Sequence, residues 1–133
     1  MNRTKIEWTD ATWNPIRGCT RVSKGCRNCY AERVAARFSG PGQAYEGLAE
    51  MTSAGPRWTG KVELVMKHLE DPIRWKRPRR IFVNSMSDLF HDAVSDENIL
   101  AIFVVMARAC FHKFQVLTKR PARMAKMLNR WQA

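Results

Sequence analysis

The chain has 133 residues, with 23 Lys and Arg against 12 Asp and Glu for a net charge of +11. That length suits one domain, residues 1–133, able to bury a core without disulfides, and five tryptophans with six phenylalanines exclude a disordered chain. The charge favours polyanionic partners: nucleic acid first, an acidic protein surface second and an anionic membrane third.

The first ten residues, MNRTKIEWTD, carry no apolar run after their basic residues, and no stretch of the chain is long and apolar enough to cross a bilayer. A cytoplasmic protein with no membrane contact is the expectation. In that compartment clustered cysteines point to metal binding or redox work rather than to structural disulfides.

From Lys5 to Gly18 the chain reads as a short strand or extended lead-in, because Asn14-Pro15 is a turn signal and Trp8 and Trp13 are not at helical spacing. The two tryptophans suit core or lid packing, or else a stacking platform for a base. Gly18 to Glu32, GCTRVSKGCRNCYAE, gathers Cys19, Cys26 and Cys29 in a C-x6-C-x2-C pattern. Two thiolates separated by two residues can point at one metal, and a loop with Ser23 and Gly25 returns the third. Residues 1–38 thus form a cysteine-loop lead-in and a first helix, Tyr30 to Phe38, rich in Ala, Glu and Arg.

Residues 39–60 mix Gly, Pro, Ser and Thr without periodic apolar positions and read as one long loop. Residues 61–133 read as βαβα units. Lys61 to Lys67 has β-branched residues and reads as a strand, followed by a helical turn from Leu69 to Trp75 that Pro78 ends. The connection Lys76-Arg77-Pro78-Arg79-Arg80 is the densest positive patch, a phosphate contact or a solvated link. Arg80 to Ser85 carries Ile81, Phe82 and Val83 in a continuous apolar run, the pattern of a strand covered on both faces.

Ser95 or Asp96 caps a helix to about Cys110 that is apolar nearly all round and so must be deeply covered. Lys113 to Thr118 is a further strand, and Pro121 opens a last helix with Met124, Met127, Leu128 and Trp131 on one face. Alternating strands and helices predict an α/β fold with a parallel sheet of three to four strands and covering helices.

In such folds reactive groups collect where strands end and loops begin. The cysteines, then Asn84, Ser85, Ser87, Asp88 and His91, then Thr118, Lys119 and Arg120 meet that rule. The second group could bind a ribose, an amino-acid moiety or a substrate, or simply organise a turn. Lys119 and Arg120 would meet an anion. Structural zinc needs a fourth ligand, for which Cys110, His68, His91 or His112 could be recruited, whereas three cysteines suffice for a cubane iron–sulfur cluster with one iron left open.

The segments WTDATWNPIRGC, GCTRVSKGCRNCYAER, RIFVNSMSDLFHD and FQVLTKRPARM resemble an uncharacterised family of phage and prophage radical S-adenosylmethionine-like proteins, distantly similar to spore photoproduct lyase. The resemblance implies a four-iron four-sulfur cluster on Cys19, Cys26 and Cys29, with S-adenosylmethionine on the fourth iron. It implies a partial, half TIM-type βα barrel, the N-terminal half only, which does not turn over alone. Tyr30, Asn84, Ser85 and Asp88 are then expected at the cofactor, and Lys76, Arg77, Arg79, Arg80, Lys119 and Arg120 at a nucleic acid or other anion. The usual superfamily loop has three residues between its first two cysteines where this one has six, and Asn28 stands where an aromatic residue is usual. The open edge of such a half barrel would suit a protein partner or a homodimer. The alternative is a non-catalytic, phage-encoded inhibitor that docks on a host nucleic-acid-handling defence complex, its cysteines a structural zinc site.

Overall fold

The structure, a computed structural model, describes residues 2–22, 26 and 29–132, so Ser23, Gly25 and Asn28 of the cysteine loop lie outside the described residues. Its centre is a sheet of four strands in the order β1 (Asn2–Arg3), β2 (Ala11–Trp13), β7 (Arg80–Val83) and β8 (Lys113–Val116). β2, β7 and β8 run parallel, with Ala11 opposite Ile81 and Ile81 opposite Phe114, while β1 pairs antiparallel at one edge. A mixed α/β fold with a three-strand parallel core is therefore observed; no closed barrel forms among the described residues.

Alternation along β7 decides its two faces. Ile81 and Val83 are fully buried against the helices, whereas Phe82 points the other way and is only half-buried. The apolar run Ile81 to Val83 does not report a strand covered on both faces: Phe82 instead meets Trp8, with ring centroids 4.8 Å apart, and lines a cavity. Trp13 is buried at 1% exposure, its indole N–H donating to the His68 carbonyl at 2.7 Å, while Trp8 stays 42% exposed as a lid on Phe82.

Helix α3 (Asp96–Arg108) begins at Ser95, whose hydroxyl accepts the Asn98 N–H at 3.1 Å, and it returns the chain from β7 to β8. Ile99, Ile102, Val105 and Met106 face the sheet and join Trp13, Ile81, Val83, Leu89 and Phe90 in the main core. Each such side chain stabilises the fold by about 1.5–3 kcal/mol. Leu100 and Val104 stay about half exposed. The helix is thus not covered all round; it lies on one face of a single sheet, with α4 (Pro121–Gln132) beside it through Phe103 and Trp131.

Two local elements depart from the pattern read in the sequence. The stretch 39–60 is not a loop throughout: β4 (Ala49–Thr52) and β5 (Gly55–Trp58) form an antiparallel hairpin packed on α1 (Tyr30–Arg37). Lys61 to Lys67 does not join the main sheet. Only β6 (Glu63–Leu64) is extended, pairing antiparallel with β3 (Ile16–Arg17), before a 3-10 turn at Met66–His68 and the short α2 (Asp71–Arg74). Among the described residues no helix is long and apolar enough to cross a membrane.

Candidate functional site

A cavity of about 330 Å³ opens at the C-terminal ends of β7 and β8. Cys19, Cys26 and Cys29 line it together with Phe82, Asn84, Ser85, Ser87, Asp88 and the segment Leu117 to Arg120. The three sequence groups singled out as chemically capable are therefore brought to one place, except that His91 stands behind the wall. Tyr30 is not part of the lining: it is 63% exposed at the start of α1 and faces away.

The wall is built around Asp88. Its Oδ1 accepts from the Thr118 hydroxyl at 2.7 Å and the Phe90 N–H at 3.0 Å; its Oδ2 accepts from the Lys119 N–H at 2.9 Å and Arg120 Nη1 at 3.0 Å. Burial pushes this carboxyl up, but the bonds from Thr118, Lys119, Phe90 and Arg120 outweigh it and hold the pKa below the ordinary carboxylate value. With both oxygens occupied, Asp88 fixes the loop after β8 rather than reaching a ligand.

Arg120 carries that order to the cysteine loop. Its Nη2 donates to the Thr20 carbonyl at 3.3 Å and hydroxyl at 3.1 Å, and its Nη1 lies 4.0 Å from Cys19 Sγ. Lys119 Nζ stands 3.5 Å from Cys26 Sγ. Burial pushes the Cys19 thiol pKa up, and the charge of the neighbouring Arg120 opposes this. Behind it, the Thr20 hydroxyl meets His91 Nε2 at 3.0 Å while His91 Nδ1 accepts the Ala93 N–H, which fixes the neutral Nε2–H tautomer. Burial and the neighbouring Arg120 both lower the His91 pKa.

Asn84 is the strained member. Its φ of 58° is left-handed, its Oδ1 accepts the Ile16 N–H at 3.1 Å, and its buried Nδ2 has no partner among the described residues. Ser85 donates to Asn14 Oδ1 at 3.1 Å, and Ser87 donates to the Ile16 carbonyl at 3.0 Å.

The anion-binding residues read from sequence divide. Lys119 and Arg120 are at the cavity, but Lys76, Arg77, Arg79 and Arg80 precede or begin β7 and sit at the other end of the sheet. Of the residues considered as a fourth zinc ligand, His112 packs at that far end, with Nε2 against the Pro72 carbonyl, Cys110 is exposed just before it, and His68 pairs with Asp71 at 2.8 Å. Only His91 is near.

Sequence reading missed the Arg21–Glu32 pair. Glu32, 2% exposed, accepts from Arg21 at 2.6 Å and from the Trp58 N–H at 3.1 Å, tying the cysteine loop, α1 and the hairpin together. A glutamate in the first turn of a helix entered from the cysteine loop was the available signal.

The donor set fits an iron–sulfur group by kind: three soft thiols on one cavity wall, cations beside two of the sulfurs, and an open side. They are not drawn into a coordination set, since among the described residues no group of three or more His, Cys, Asp or Glu is close enough to hold a metal ion.

Fold and site together define a mixed α/β protein with a thiol-lined cavity at the carboxyl ends of parallel strands. The chain belongs to the family described as "Protein of unknown function (DUF5131)", whose pattern matches residues 3–133. Neither a curated protein nor a solved structure matches it.

Proposed function

We propose that this chain is a radical S-adenosylmethionine-like iron–sulfur protein of phage or prophage type, with Cys19, Cys26 and Cys29 as the cluster ligands. The observation that carries this reading is the meeting of all three cysteines with the post-β7 and post-β8 loops in one cavity. Strands β2, β7 and β8 lie as consecutive neighbours, the order in which a βα barrel begins, which supports a half TIM-type barrel. A four-iron cluster held by Cys19, Cys26 and Cys29 would, once reduced by an external one-electron donor, supply the electron that splits a C–S bond of S-adenosylmethionine to give methionine and a 5'-deoxyadenosyl radical.

The chain's own residues have separable tasks in this reading. Lys119 and Arg120 offset the negative charge of thiolates and meet an anionic group in the cavity. Asp88 and Thr118 hold those two cations in place. Asn84 Nδ2 is the polar group left to answer a ligand's acceptor, at the cost of left-handed backbone strain. Phe82, Trp58 and Leu117 give the cavity apolar walls.

The test is metal and sulfide analysis of anaerobically purified or reconstituted protein. The expected result is about four irons per chain with a broad absorption near about 400 nm, lost in Cys26→Ser. Iron-free protein holding about one tight zinc overturns the proposal and favours the second reading, a non-catalytic inhibitor or binding protein with a structural metal loop. That second reading draws on the placement of much of the basic charge away from the cavity.

A further inference from the structure

The basic residues at the amino ends of β7 and β8 form a surface of their own. It is built around His112, which is buried at 5% exposure. His112 Nδ1 accepts the Arg79 N–H at 3.1 Å and its Nε2–H donates to the Pro72 carbonyl at 2.9 Å, so both ring nitrogens are committed. Trp75 meets the ring edge-on at 6.3 Å, and Phe111 stacks obliquely on it at 4.2 Å while remaining 43% exposed. Lys113 donates its N–H to the Arg79 carbonyl at 2.8 Å, which sets the two strand starts side by side.

Around that rigid centre stand Lys76, Arg77, Arg79, Arg108 and Lys113. None of them forms an ion pair among the described residues, unlike Arg80, which is committed to Asp10, and Arg74, which is committed to Asp71. Arg79 also keeps a buried Nε without a partner. Lys76, Arg77, Arg108 and Lys113 are exposed. A fixed, exposed aromatic ring ringed by unpaired cations matches a chain that presents phosphates and unstacked bases together.

We propose that this end of the molecule is a docking surface for single-stranded nucleic acid, with Phe111 stacking a base and Lys76, Arg77, Arg108 and Lys113 meeting the backbone. The four-residue strands set it about 13 Å from the cysteine cavity at the opposite sheet end. The surface therefore holds the strand at its own end of the sheet and does not present it to the thiols. This inference stands apart from the metal reading, since it uses none of the cavity residues.

The experiment is fluorescence anisotropy of the full chain with a labelled single-stranded oligonucleotide across a salt series. The expected result for Lys76→Ala/Arg77→Ala/Arg108→Ala/Lys113→Ala is a loss of roughly 100-fold, with the salt slope shallower by about 0.7 for each contact removed. Phe111→Ala alone should cost about tenfold for the single strand and little for a duplex. Arg33→Ala/Arg37→Ala, which removes exposed charge from α1, serves as the control and should change binding less than threefold, roughly, as expected of distant screened charges. Circular dichroism confirms that each variant is folded. Equal losses in the α1 control, an unchanged salt slope in the quadruple variant, or binding to anionic vesicles or polyglutamate with none to the oligonucleotide would overturn the proposal.

Discussion

At Asp88 four donors converge on two oxygens, so that one carboxylate sets the positions of both Lys119 and Arg120. Asp88→Ala leaves Arg120 buried without its counter-charge and is expected to lower unfolding free energy by about 3 kcal/mol or more in urea titration, an outcome below 1 kcal/mol being inconsistent with the hub. Acid should act at the same place in two stages. The depressed His91 resists protonation in the folded state, so stability falls as pH drops below 6.5; the depressed Asp88 adds its loss below 3.8. Thermal melts at stepped pH check both windows, with His91→Gln removing the first. Gly18 is the other residue without latitude. At φ +99° a Cβ there would lie 2.2 Å from the Lys61 carbonyl oxygen, which is backbone and cannot yield cheaply. Gly18→Ala should destabilise by about 2–4 kcal/mol and loosen β3 from β6, read as faster amide exchange at Arg17 and at Val65, whose N–H bonds the Pro15 carbonyl.

Among the elements, α1 and the β4–β5 hairpin depend on Glu32. Glu32→Gln keeps the shape but not the charge that holds Arg21, and is expected to expose the Gly47–Thr59 region to protease while leaving α3 and α4 protected; uniform cleavage across the chain would contradict it. This hairpin also marks where sequence reading ran out. Ala49 to Trp58 has two four-residue arms around the Ser53-Ala54 turn, with Gly55 and Pro56 in the second and few apolar residues, so its strand character comes from packing on α1 rather than from its own pattern. By contrast the presence and type of β7, β8, α3 and α4 were legible from their apolar runs and from signals such as the Ser95 cap, although the open sides at Phe82, Leu100 and Val104 were not, because an apolar side chain does not say what covers it. The same logic explains the site. Asn84, Asp88, Lys119 and the cysteines could be grouped because strand ends collect reactive residues. The Arg21–Glu32 tie and the removal of the Lys76–Arg80 patch to the opposite end required three-dimensional register.

For the whole molecule the net charge of +11 outweighs its seven described ion pairs, most of them at the surface. Raising salt from low to physiological strength should therefore stabilise the fold by screening self-repulsion, seen as a rise in Tm; a fall would mean that the ion pairs dominate. The sheet register also implies an order of assembly. Ile81 reaches Phe114 through one helix, whereas Ala11 reaches Ile81 only after the cysteine loop, α1, the hairpin and α2 have intervened. Loop closure favours the nearer pair, so the β7–α3–β8 unit is expected to form early and β2 to join late. Pulse-labelled exchange should protect the Ile81 and Gln115 amides, which join β7 to β8, before that of Trp13, which joins β2 to β7. The cysteine loop, carried in with β2, would then close last, over a cavity floor that β7, β8 and their loops have already made.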